Sequence, residues 1–221
     1  MSETEEKASP TASTNISEME QKAAVRVDPI LERLSVPNAE IDKNKIRNLF
    51  GKMWVFDNVD ALSPDEQFLY TVGLFIYYAH NVLDDYNIRI DPAREAITRA
   101  LREWQSAKLE AEIAEEKAAP NPFKAFVETG VPRVDEIYTW KNFLLDHKKS
   151  DEKEWTYKMK KCWFSTFFIR LGRTDYIGTA CLFDMIPAEA RKDYVSLKLQ
   201  NLFPKLGTTC QFSYTPAKKG P

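Results

Sequence analysis

The side chains best suited to chemistry gather in two places. The first holds His80, Asp84, Asp85 and Asp91. His80 and Asp84 are four residues apart, which stacks them on one helix face, and the Asp84-Asp85 pair offers oxygens to a hard cation such as magnesium. As a metal site the set is weak: the chain has 2 histidines, the aspartate pair falls where a helix gives way to a turn at Tyr86-Asn87, and Asp91 is explained as a helix cap. The second place is the C-terminal half, where cations alternate with rings. Lys158, Lys160 and Lys161 precede Trp163 and Phe164, and Arg170 and Arg173 precede Tyr176. Cations that neutralise phosphates beside rings that stack on bases suit single-stranded nucleic acid, and the guanidinium forks of Arg170 and Arg173 match phosphate geometry. Competing with this is ordinary packing, since Trp155, Met159, Cys162, Trp163, Phe167 and Ile169 are close to the spacing of a helix core.

Other chemistries leave little trace. There is no nucleophile elbow, no phosphate loop and no dinucleotide glycine fingerprint, and 7 glycines would strain to supply one. Cys162, Cys181 and Cys210 lack the paired spacing of zinc or redox motifs, which favours a reducing compartment, and Cys162 and Cys181 read as small core residues, although a cysteine partnered in space by His80 or His147 stays open. The aspartate pair is similar to the acidic motif of helical prenyl-diphosphate enzymes. The full pattern and the second acidic motif of that family are missing, so no family is assigned on it.

The elements that must position these residues read as helices. Ser17 and Glu20 have capping-box spacing before a helix from Glu18 that Pro29 should break. Ser63-Pro64-Asp65-Glu66 opens a helix that buries Phe68, Leu69, Val72, Phe75, Ile76, Ala79, Val82 and Leu83. Asp91-Pro92 opens another, to about Ala118. Further helices are expected over Val134 to Leu145, Ser150 to Leu171 with Gly172 as a left-handed cap, Tyr176 to Met185, and Pro187 to Phe203 closed by Pro204. Only Cys210 to Tyr214 hints at a strand. The expected class is therefore all-α, one domain of about seven or eight helices. Its expected parts are a disordered arm (1–17), an acidic helical part (18–118), a Pro/Gly connector (119–133), a basic, aromatic-rich helical part (134–204) and a loose tail (205–221).

Length and charge bound the function. The chain has 221 residues, 43% hydrophobic, and a formal net charge of −2, enough for one core and against a uniformly basic nucleic-acid binder. The neutral total hides a split: residues 1–139 carry 16 basic against 25 acidic side chains, net −9, and residues 140–221 carry 15 against 8, net +7. Opposed halves with terminal arms suit head-to-tail assembly into an oligomer or filament, unless they neutralise each other within one chain. The leading expectation is thus a non-enzymatic, coat- or nucleoprotein-like subunit that self-associates and holds single-stranded nucleic acid, RNA above all. Lys158, Lys160, Lys161, Arg170 and Arg173 would meet phosphates, with Trp163 and Tyr176 stacking. It needs no cofactor and no membrane, and it would be cytoplasmic or part of a virion or ribonucleoprotein. The alternatives are a helical metal-dependent enzyme or small-molecule binder using the His80–Asp91 region, with His80, Asp84 and Asp85 as ligands, and a regulatory adaptor that docks a protein.

Overall fold

Ser17 opens the first helix as the capping box predicts, with its hydroxyl accepting from the Glu20 amide and the Glu20 carboxylate accepting from the Ser17 amide. The structure, a computed structural model, describes residues 17–203 and 207–218. The expected arm, apart from Ser17, and the closing Pro204 lie outside these residues. Helix α1 (Glu18–Ala24) passes through a 3-10 turn into α2 (Asp28–Leu31), where Pro29 stands in the first turn and so starts a helix instead of breaking one. Then come α3 (Lys43–Phe56), α4 (Pro64–Asp85), α5 (Ile90–Ala118), α6 (Pro122–Ile137) and the short α7 (Trp140–Phe143).

Helix α4 is the central element. It begins at Pro64, carries Asp65 and Glu66 in its first turn, and buries Leu69, Val72, Phe75, Ile76, Ala79, Val82 and Leu83, with Phe68 at the edge of the core. It packs against α3, α5, α6 and two later helices, α8 (Trp163–Arg170) and α9 (Ile177–Glu189). Most of the expected connector is α6: Asn121 caps it, Pro122 is its first residue, and Gly130 and Pro132 lie inside it.

The all-α expectation fails in the C-terminal half. Strands β1 (Leu145–Ser150), β2 (Trp155–Met159), β3 (Val195–Gln200) and β4 (Cys210–Pro216) form one antiparallel sheet in the order β1-β2-β4-β3. The helix expected over Ser150 to Leu171 is the end of β1, a turn in which Asp151 accepts from the Lys153 and Glu154 amides, then β2 and the separate helix α8 (Trp163–Arg170). Trp155, Met159 and Cys162 are four and three residues apart, so a short strand followed by a helix imitates a single helical stripe. Helix α9 (Ile177–Glu189) covers the predicted Tyr176–Met185 segment, but the helix expected over Pro187 to Phe203 gives way to β3, whose Val195, Leu197 and Leu199 alternate with polar residues. The expected loose tail holds β4, paired with both β2 and β3. Opposed residues Trp155–Tyr214, Tyr157–Phe212 and Met159–Cys210 form the buried face of the sheet. Gly172 does take the left-handed φ of 68° expected at the end of α8. Among the described residues no helix is long and apolar enough to cross a membrane.

Candidate active site

Helix α9 is apolar nearly all round, and Asp184 stands inside the run Phe183-Asp184-Met185-Ile186. A carboxylate on such a helix must be buried against something polar or be protonated. Tyr138, the residue that ends α6, donates its hydroxyl proton to Asp184 Oδ1 at 2.6 Å. Burial nevertheless outweighs that hydrogen bond and pushes the Asp184 carboxyl up from the usual carboxylate range to about 7. The Tyr138 hydroxyl is itself held far above its normal range by burial and by the facing carboxylate.

Asp184 and Tyr138 line a cavity of about 340 Å³ between the buried face of the sheet and helices α4, α5, α6 and α9. Trp155, Tyr157, Phe212 and Tyr214 wall it from the sheet, and Phe68, Trp104, Phe126 and Phe183 from the helices. The Tyr157 and Tyr214 hydroxyls lie 3.3 Å apart inside this wall, and burial raises both. One side is ionic. Arg133 pairs with Glu112, which also accepts from Arg191 at 2.8 Å; Arg191, fully buried, grips Glu116 through two further bonds of 2.7 and 2.8 Å. Burial works to raise the Glu112 carboxyl, yet the two arginines hold it below its ordinary range. Lys108 lies on the cavity rim, exposed, and makes no ion pair among the described residues.

The residues singled out for nucleic acid are spread over several elements. Lys158 is on β2, on the face opposite Trp155 and Tyr157; Lys160 pairs with Asp146 at 2.8 Å, and Lys161 donates to the Lys141 carbonyl. Arg170 pairs with Asp57 at 2.7 Å, and Arg173 pairs with Asp175 and donates to Asn81 while lying over the Tyr176 ring. Trp163 stacks on Phe167 and packs against Gly73 of α4; Tyr176 is buried, stacked on His80, and donates to Asn81. In the other candidate region, His80 is buried with Nε2 2.8 Å from Thr179 Oγ1, and burial together with the Arg94 charge pushes its pKa down to about 3. Asp84 and Asp85 are exposed, with Asp85 paired to Lys45, and no group of three or more potential metal ligands occurs among the described residues.

Sequence reasoning missed Asp184, Tyr138 and the Glu112–Arg133–Arg191 network. A signal was present for the first: from Ile177 to Ala188, Asp184 is the one charged residue in an otherwise uncharged, largely apolar stretch.

Residues 74–214, which include every cavity residue named above except Phe68, match the family described as L-2-amino-thiazoline-4-carboxylic acid hydrolase. The chain belongs to that family. No curated protein matches the chain. A crystal structure of Fe(II) unliganded H-NOX protein from K. algicida aligns with 10% identity over 89% of this chain and 97% of that one, at a TM-score of 0.36. A point mutant of the same H-NOX protein aligns with 8% identity over 88% of each chain, at 0.35. Likeness at that level defines neither the fold nor the activity. Membership of a hydrolase family overturns the expectation of a non-enzymatic coat- or nucleoprotein-like subunit. The expected cations misled because basic side chains beside rings arise equally from ion pairing over an aromatic core.

Proposed function

We propose that this family member is a hydrolase of small cyclic amidine-type compounds, of which L-2-amino-thiazoline-4-carboxylate is the example in the family's description, and that Asp184 is its acid–base group. The observation that carries this reading is the Asp184 carboxyl at about 7, held by Tyr138 in the wall of a cavity large enough for a small molecule. A carboxyl that titrates near neutrality is populated in both forms, as a group that takes a proton in one step and returns it in the next must be. Ionised Asp184 removes a proton from a water that adds to the carbon bearing the exocyclic amino group. The protonated carboxyl then delivers that proton to the ring heteroatom or amine whose bond to that carbon breaks, while the adduct's hydroxyl proton passes to the ring nitrogen and the carbon becomes a carbonyl. Tyr138 fixes the rotation of the carboxyl through Oδ1 and so leaves Oδ2 for the water. The apolar walls keep bulk water out and strengthen both interactions.

The test is incubation of the purified protein with L-2-amino-thiazoline-4-carboxylate, with ring hydrolysis followed by mass spectrometry across pH 5–9. Turnover is expected to rise through about pH 7, where Asp184 ionises, and Asp184→Asn is expected to reduce it by roughly 10²–10⁴-fold. Turnover by Asp184→Asn equal to wild type would overturn the assignment.

A further inference from the structure

The cavity is larger and more aromatic than the compound in the family's description needs. An apolar cavity of about 150 Å³ holds a benzene ring, so one of about 340 Å³ has room for roughly a dozen or more non-hydrogen atoms, whereas L-2-amino-thiazoline-4-carboxylate has about nine, several of them polar. Phe68, Trp104, Phe126, Trp155 and Phe183 present more ring surface than that small heterocycle can cover, and Glu112 in the same lining is already held by Arg133 and Arg191. Asp184, whose carboxyl is buried, also borders a second, much smaller space beside Cys162 and Cys181 and so stands at the inner wall; Lys108, exposed and in no ion pair among the described residues, stands at the solvent rim. A ligand that uses both ends presents its reacting group inward and an anionic group outward, with an apolar body between them among the rings.

Resting on the hydrolase reading, we infer that the substrate of this chain is an amphipathic cyclic amidine acid carrying an aryl-sized apolar substituent that packs against Trp104, Phe126 and Phe183, and not the bare 2-amino-thiazoline acid. Burying such a substituent among these rings strengthens binding by at least tenfold, because a ring of that size removes much apolar surface from water.

The experiment compares L-2-amino-thiazoline-4-carboxylate with its 5-phenyl derivative. Binding is read by the fluorescence of the cavity tryptophans Trp104 and Trp155, and hydrolysis by mass spectrometry. The 5-phenyl compound is expected to bind at least tenfold more tightly. That ratio should fall toward one in Val134→Phe, which fills the cavity from α6, and Lys108→Gln should weaken both acids while leaving their carboxamides alone. Equal or weaker binding of the 5-phenyl compound by wild type overturns the inference whether or not the variants fold. A ratio that Val134→Phe leaves unchanged, in a variant with a wild-type melting curve, overturns it too. The two readings fail distinguishably: hydrolysis of the bare acid without the preference removes this inference and leaves the hydrolase reading, whereas tight binding of the 5-phenyl compound with neither acid hydrolysed overturns the hydrolase reading and, with it, the claim that such a compound is a substrate.

Discussion

A carboxyl held at about 7 inside an apolar wall makes stability and activity pull against each other at one residue. In the unfolded chain Asp184 ionises near the ordinary carboxylate value, so between about pH 4 and pH 7 the folded protein keeps a proton the unfolded chain has lost. The contribution is fully present below the unfolded value and is lost as pH rises through about 7, on the order of 4 kcal/mol at most by alkaline pH. Asp184→Asn keeps the shape without the charge, so it should melt higher than wild type at pH 8, match it near pH 4, and lose turnover. Thermal melts at the two pH values check this, and a variant less stable than wild type at pH 8 would contradict the buried-charge account. His80 has the opposite sign. Its pKa is depressed to about 3, so its contribution is present above about 6.5 and is lost as pH falls toward 3. His80→Gln, which retains a side-chain partner for Thr179, should flatten the loss of stability between pH 6 and pH 4 seen in urea titrations. Of the two, the sequence singled out only His80, and as a type alone, while Asp184 was passed over. That His80 faces Thr179, ninety-nine positions along the chain, is decided by how α4 and α9 pack.

Among the elements, helices with chemical punctuation were legible and strands with mixed periodicity were not. Ser17, Ser63-Pro64 and Gly172 mark real ends, because capping and left-handed φ depend on neighbours in sequence. β2 and β3 are five and six residues long, too short for alternation to outweigh a helical stripe, and their pairing with β4 is a long-range fact. The contact that brings α6 onto β2 depends on the absence of a side chain at Gly130, where a Cβ would lie 2.8 Å from the Trp155 ring. Gly130→Ala should therefore cost about 1–3 kcal/mol through overpacking and weaken ligand binding by moving a cavity wall. Gly172 provides the contrast: a Cβ there meets nothing within 4 Å, so Gly172→Ala costs only the strain of its positive φ, about 1 kcal/mol, and leaves turnover unchanged. Chemical denaturation of both variants with parallel activity assays separates the two causes. Equal effects on turnover would refute the link between Gly130 and the cavity.

For the molecule as a whole, part of the opposed charge of the two halves meets within the chain, while most ion pairs among the described residues lie within one half. Glu66 pairs with Lys141, Asp57 with Arg170, and Glu112 and Glu116 with Arg191, so acids of the N-terminal half meet bases of the C-terminal half. That polarity was the clearest feature of the sequence, yet composition could not say whether it serves folding or a partner, because pairing is decided in three dimensions. These contacts are unequal in weight. Lys141 is largely exposed, and solvent screens such pairs so that they contribute little, whereas Arg191 is fully buried, stacked over Phe126 and bonded to two glutamates and the Pro187 carbonyl. Replacing it strands buried carboxylates. Arg191→Met should then cost about 3–5 kcal/mol at pH 7, and Lys141→Ala far less. The pH dependence identifies the cause. In wild type the arginines hold the Glu112 carboxyl below its ordinary value, a contribution present above about 4.5 and lost as pH falls below it. Without Arg191, Arg133 alone offsets the burial that raises this carboxyl, so its pKa moves up from the wild-type position and the variant loses less stability than wild type as pH falls. The gap between wild type and Arg191→Met should accordingly narrow from pH 7 to pH 4.5 in urea unfolding. A gap that stays constant would mean that the guanidinium acts through packing over Phe126 and not through the charges it joins.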